Sequence, residues 1–132
     1  MNGVSFRMLW AIAIGGAAGS VSRYLVSVWM MRSSGAFPLS TFVINVVGSF
    51  LIAFFARAFS TPDSSPVIRA ALTIGFCGGF TTFSTFSAEF VTLVQEERTG
   101  RAVVYVVASV VTSVLAVLAG LAVGERFITP RG

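Results

Sequence analysis

Apolar and polar positions along this chain alternate in long blocks rather than at the spacing of a soluble helix. Four stretches are almost wholly apolar: residues 8–31, 38–59, 66–94 and 101–124. No charge falls between Arg32 and Arg57, between Arg69 and Glu89, or between Arg101 and Glu125. A helix that crosses a bilayer needs about 20 mostly apolar residues. The pattern therefore predicts four transmembrane helices. The polar breaks agree: Ser33-Ser34-Gly35 before Pro38, Thr61-Pro62-Asp63-Ser64-Ser65-Pro66, and Glu96-Glu97-Arg98-Thr99-Gly100. Such clusters of Gly, Pro and short polar residues end helices. They are short, which predicts antiparallel neighbours. Arg7 ahead of an apolar run has the look of a secretory signal. Arg23 within that run, and three further apolar segments, favour a membrane span instead.

The third segment departs from the plain pattern. As one helix it would be roughly 43 Å long at 1.5 Å per residue, longer than a hydrocarbon core of about 30 Å. Gly75, Gly78 and Gly79 lie at its middle. Irregular backbone at membrane depth is tolerated where it is buried in protein or lines a watery cavity. The segment is predicted to be two half-helices joined by an unwound stretch near residues 78–82.

Composition sharpens the class. The chain is 55% hydrophobic and 11% charged, against about 25% charged residues in a soluble domain. The expectation is an all-α integral membrane protein in which residues 1–132 form a single four-helix transmembrane domain. There is no histidine, which excludes His-based catalysis and His metal ligation. The single Cys77 sits in an apolar segment, which excludes a disulfide framework and makes it a packing residue. All nine basic residues are arginines, scattered in the fashion of loop and interface charge rather than of a nucleic-acid patch. With four spans, Arg7, Arg57, Arg69, Arg126 and Arg131 share one side, and Arg32, Arg98 and Arg101 the other. Orientation follows such Lys/Arg differences. Five against three is a weak bias, open both to insertion in either direction and to one orientation set by the N-terminal half.

The candidate chemistry is concentrated in the third segment. Phe80, Phe83, Phe86 and Phe90 recur every three or four residues, as one helical face would require. Aromatic ring edges carry partial positive charge and could touch an anion without trapping it. Packing accounts for most such stripes, and this chain holds 13 phenylalanines. Between the rings stand Thr81, Thr82, Ser84, Thr85 and Ser87. Hydroxyls in a membrane helix bond their own backbone, join helices or line a polar path. Asn45, mid-span in the second segment, is costly in hydrocarbon without partners. It suits either an anion or an interhelical hydrogen bond beside Gly48. Arg23 is a candidate vestibule charge, or a side chain that snorkels to the interface. Glu89 is its possible counterweight, although a structural acid near a helix end is the simpler reading. Tyr105, Ser109 and Ser113 recur every four residues with Thr112 beside them. They form a possible polar track or a helix-joining face.

Three signatures in order resemble the small bacterial fluoride channels of the CrcB/Fluc family. They are Gly15-Gly16-Ala17-Ala18-Gly19-Ser20 leading to Arg23-Tyr24; residues 41–50, from Thr41 through Asn45 to Gly48-Ser49-Phe50; and residues 75–87, from Gly75 through Gly78-Gly79 to Thr82-Phe83-Ser84-Thr85-Phe86-Ser87. The resemblance covers nearly the whole chain. It implies an antiparallel dual-topology homodimer in the bacterial cytoplasmic membrane, with two fluoride pores and a structural Na+ at its centre. By resemblance, Phe83 and Phe86 are pore phenylalanines, Asn45 a pore asparagine, Ser84 and Thr85 pore-side hydroxyls, and Arg23 the vestibule arginine. Backbone carbonyls of Gly78 and Thr81 from both subunits would hold the sodium. Thr41, Tyr105, Ser109, Thr112 and Ser113 form the possible polar track. Phe80 is a neighbour of the pore rather than its wall.

The expected function is passive, fluoride-specific export that lowers fluoride toxicity. No enzyme is expected, because the chain lacks paired carboxylates, histidine and a recognisable serine dyad. The main competitor is a small four-helix dual-topology multidrug-type exporter. Those proteins generally depend on an acid in the first helix, where this chain has Arg23. A non-transporting scaffold subunit is the other rival, and the clustered hydroxyls disfavour it.

Overall fold

The computed structural model describes residues 5–31 and 37–128, all helix and connecting turn, with no strand among them. Arg32, the Ser33-Ser34-Gly35 sequence and Arg131 lie outside the described residues. Helix α1 is Phe6–Met30 and α2 is Leu39–Ala58. The third span, residues 66–95, is built from several pieces. It begins with α3, Pro66–Ala70, continues through a π-helical stretch, Ala71–Cys77, and closes with the short turn α4, Gly78–Phe80. After two extended residues comes α5, Phe83–Gln95. Helix α6, Thr99–Ile128, runs past both expected ends. Four of these units are long and apolar enough to cross a membrane.

Local chemistry explains the boundaries. Pro66 occupies the first turn of α3, where its missing N–H costs nothing, and the Ser65 hydroxyl accepts the Ile68 N–H. At the end of α5 the Arg98 N–H reaches the Leu93 carbonyl and the Glu97 N–H reaches Val94. This is the Schellman arrangement, which needs a left-handed residue after the helix. Glu97 supplies it with φ 59°, although glycine would do so at lower cost. Gly100, three residues later, lies inside the first turn of α6.

Packing runs along two glycine seams. On α1, a β-carbon at Gly15 or Gly19 would stand 2.2 or 2.1 Å from the carbonyl oxygen of Ala71 or Phe76. From the other side, one at Gly79 would stand 2.3 Å from the Gly16 carbonyl oxygen. Helices α2 and α6 meet the same way at Gly120 and Gly124, beside the carbonyls of Phe50 and Phe54. Small residues let helix backbones approach in lipid, where no hydrophobic force drives them together. Gly75 and Gly79 thus serve close contact, whereas a β-carbon at Gly78 would meet nothing within 4 Å. Gly78 and Gly79 are helical, no described glycine has positive φ, and the extended backbone begins only at Thr81.

The dry core is small. Leu93, Ala102 and Tyr105 are buried, with Phe37, Phe42, Phe86 and Phe90 against them. Large apolar side chains such as Trp10, Leu25, Trp29, Val103, Leu115 and Leu118 are exposed along α1 and α6, as a chain surrounded by lipid requires. At one end, the Arg57 guanidinium pairs with the Glu125 carboxylate and donates to the Ser60 hydroxyl, joining the ends of α2 and α6.

Candidate functional site

Between α4 and α5 the helix lapses. Thr81 has φ −77° and ψ 159°, and Thr82 has φ −151° and ψ 116°. Both are extended. The Thr81 N–H and hydroxyl donate back to the Cys77 carbonyl, at 3.0 and 2.8 Å. The Thr82 hydroxyl then opens α5 as its N-cap, accepting the Thr85 N–H at 3.2 Å. The Thr82 oxygen also lies 3.0 Å from the Thr85 hydroxyl and 3.2 Å from that of Ser84.

Asn45 meets this segment from α2. Its Oδ1 accepts the Thr82 N–H at 2.9 Å, and its Nδ2 donates to the Thr82 carbonyl at 3.1 Å. Around these groups opens a cavity of about 360 Å³, lined by the polar Asn45, Ser49, Thr81, Thr82, Ser109 and Ser113 and by Gly48, Ile52, Phe83, Phe86 and Val110. The Phe83 and Phe86 rings lie 5.7 Å apart, tilted by 34°. Phe83 is 79% exposed. Among the described residues no charged side chain lines this cavity. The Ser109 hydroxyl is buried and has no hydrogen-bond partner among them.

A second hollow of about 240 Å³ lies beside Thr82 and is lined by Ser20, Arg23, Tyr24, Ser27, Thr41, Ile44, Thr82 and Thr85. Thr82 is common to both spaces. Arg23 is therefore close to the interrupted segment, in a hollow rich in hydroxyls.

The residues singled out in the sequence separate into groups. Asn45, Thr81, Phe83, Phe86, Ser109 and Ser113 share the larger cavity, while Arg23, Thr41 and Thr85 share the smaller. Ser84 lines neither, and its hydroxyl sits at the start of α5 against Thr82. Thr112 turns its hydroxyl back to the Ala108 carbonyl at 2.6 Å. Gly78 is exposed. The four-membered phenylalanine face does not exist as one face, because the extended residues at 81 and 82 rotate Phe83 away from Phe80. Phe80 is buried and stacks on Phe76 at 5.8 Å.

Glu89 has the structural setting that its sequence favours, with hydroxyls as its partners. Its two carboxylate oxygens accept from Thr41 at 2.8 Å and from Tyr105 at 2.7 Å, linking α5 to α2 and α6. Tyr105 is fully buried, with its ring 5.0 Å from Phe86 and 5.4 Å from Phe37. Glu89 thus joins the helices through hydroxyls and is not the counterweight of Arg23. Ser49, part of the second signature but not among the candidate site residues, joins the larger cavity, and its spacing of four from Asn45 is the sequence signal for it.

Comparison with known proteins gives a consistent picture. The family model described as CrcB-like protein, Camphor Resistance (CrcB), matches residues 10–121. The chain is 47% identical over 119 residues to a protein of Rhizobium meliloti (strain 1021) named fluoride-specific ion channel FluC, covering 89% of this chain and 95% of that one. It is 47% identical over 117 residues to the protein of that name from Agrobacterium fabrum, covering 87% and 94%. To the one from Acidobacterium capsulatum it is 42% identical over 124 residues, covering 92% and 98%.

Proposed function

The chain belongs to the CrcB-like family, and on that premise we propose that it is a fluoride-specific channel through which fluoride leaves the cell passively, lowering its toxicity. The observation that carries the reading is the cavity at Thr81–Thr82, where hydroxyls, an amide and phenylalanine rings meet without a charged side chain among the described residues. Its polar groups suit a small, strongly hydrated anion. Hydroxyl and amide donors replace water, and ring edges add weak positive potential without a full charge that would hold the ion. Conduction needs binding weak enough to be left again. The process is permeation and not catalysis.

In this reading Phe83, Phe86, Asn45, Ser109 and Ser113 form the pore wall. One of the two Asn45 N–H groups remains after its bond to Thr82. Arg23, in the adjoining hollow, raises the local anion concentration as a vestibule charge. Ser84 and Thr85 order the start of α5 and supply hydroxyls beside the path. Thr41 and Tyr105 hold Glu89, so that track is in part a scaffold.

The working unit is an antiparallel homodimer in the bacterial cytoplasmic membrane, whose third span acts as two half-helices. Exposure of Phe83 beside this cavity supports a partner that covers it. A sodium ion at the centre would be held by the Gly78 and Thr81 carbonyls of both subunits. In a continuous helix the Thr82 N–H would close on the Gly78 carbonyl. Here it goes to Asn45, so that carbonyl lacks its helical donor, and oxygen ligands suit a hard cation.

The test loads fluoride into liposomes carrying the purified protein and follows efflux with a fluoride electrode. Efflux well above that of empty liposomes is expected, with chloride retained. Efflux no faster than from empty liposomes would overturn the function. Preparation in potassium without sodium is expected to lower efflux or loosen the dimer, and unchanged behaviour would remove the cation from the account.

A further inference from the structure

The amide of Asn45 is occupied in a specific way. An extended residue turns its N–H and C=O to the same side, as in a β-strand. Thr82, at φ −151° and ψ 116°, does this, and the primary amide of Asn45 meets both groups, at 2.9 and 3.1 Å. The side chain therefore pairs with Thr82 as a neighbouring strand would. Thr82 is buried, where an unmet backbone group is costly. Three residues along the same face of α2 stands Gly48. A β-carbon there would lie 2.2 Å from the Thr81 Cγ2 atom and 3.3 Å from the Phe80 ring. One residue satisfies the extended backbone and the other leaves room for it.

We propose that Asn45 and Gly48 together form a seat on α2 that holds Thr81 and Thr82 in place, with Asn45 acting as a positioning residue. The seat sets where the third span is interrupted, and so where Phe83 begins α5. The glycines of the third span itself do not, since Gly78 and Gly79 are helical. The consequence for ion flow rests on the fluoride-channel reading; the seat does not.

A double-variant cycle tests it. Gly48→Ala puts a methyl against the Thr81 methyl, and Thr81→Ser removes that methyl while keeping the hydroxyl that bonds Cys77. Gly48→Ala is expected to slow fluoride efflux about tenfold and to lower the melting temperature of the reconstituted dimer, and Thr81→Ser is expected to recover most of both losses in the double variant. Additive effects, or a Gly48→Ala protein that behaves as the parent, would overturn the seat. If the parent passes no fluoride, the function fails but the melting-temperature cycle still decides the seat.

A second measurement needs only a protein that folds. In fluoride-free medium the Thr82 amide should exchange with deuterium slowly, and Asn45→Leu should speed that exchange about tenfold or more. Rapid exchange of Thr82 in the parent protein would also overturn the proposal, whether or not the variants assemble.

Discussion

Asn45 and Glu89 show how polar side chains persist in apolar helices: each is paired through more than one atom. Asn45 holds the backbone of one extended residue, and Glu89 takes a hydroxyl on each oxygen. Removing one partner should have a measurable but limited cost, since hydrogen bonds between membrane helices contribute modestly. Tyr105→Phe takes away one of the two donors to Glu89 and is expected to destabilise the protein by about 1 kcal/mol. The midpoint of denaturation in detergent measures it, and an unchanged midpoint would show the bond to be dispensable. The two rings proposed for the pore wall call for a different readout. Phe83→Ile and Phe86→Ile keep apolar bulk but lose the polarised edge. Each is expected to cut fluoride efflux about tenfold, corresponding to about 1.4 kcal/mol on the barrier, with the dimer intact by crosslinking. Parent-like efflux from both variants would remove the rings from the path.

Among the elements, the third span carries most of what is unusual. A π-helical stretch lies against α1 along a glycine seam, a short turn follows, and two extended threonines separate it from α5. π-helical turns are rare and recur near functional sites. The end of α5 is a plainer case. Its cap requires a left-handed residue and has Glu97, where an L side chain costs about 1–2 kcal/mol relative to a relaxed conformation. Glu97→Gly removes that clash but also loosens the unfolded chain. The net expectation is a stabilisation of about 1 kcal/mol, read as a higher melting temperature with efflux unchanged. A lower melting temperature would show that the Glu97 side chain has a role the cap geometry does not reveal.

For the whole molecule, the most direct question is orientation. The five-to-three arginine difference is too small to fix it. If the chain assembles as the proposed antiparallel dimer, reporters fused to the C-terminus are expected to signal from both sides of the membrane, one active only in the cytoplasm and the other only outside. Activity from one reporter alone would exclude dual insertion.

The sequence by itself determined the class of molecule and its number of spans, because hydrophobic length is a one-dimensional property and bilayer thickness a fixed requirement. It also marked Asn45, Phe83 and Phe86 as special, since an amide and an aromatic–hydroxyl run stand out in hydrocarbon. Only the tertiary structure decided what these residues touch. The glycines looked like the cause of an interruption. In three dimensions Gly75 and Gly79 belong to the seam against α1, and the extended backbone falls on two threonines, of which Thr82 is satisfied from another helix. The pairings of Glu89 with Thr41 and of Asn45 with Thr82 join residues 48 and 37 positions apart. Such contacts depend on how separate helices are rotated and shifted against one another, and no periodicity within one segment records that.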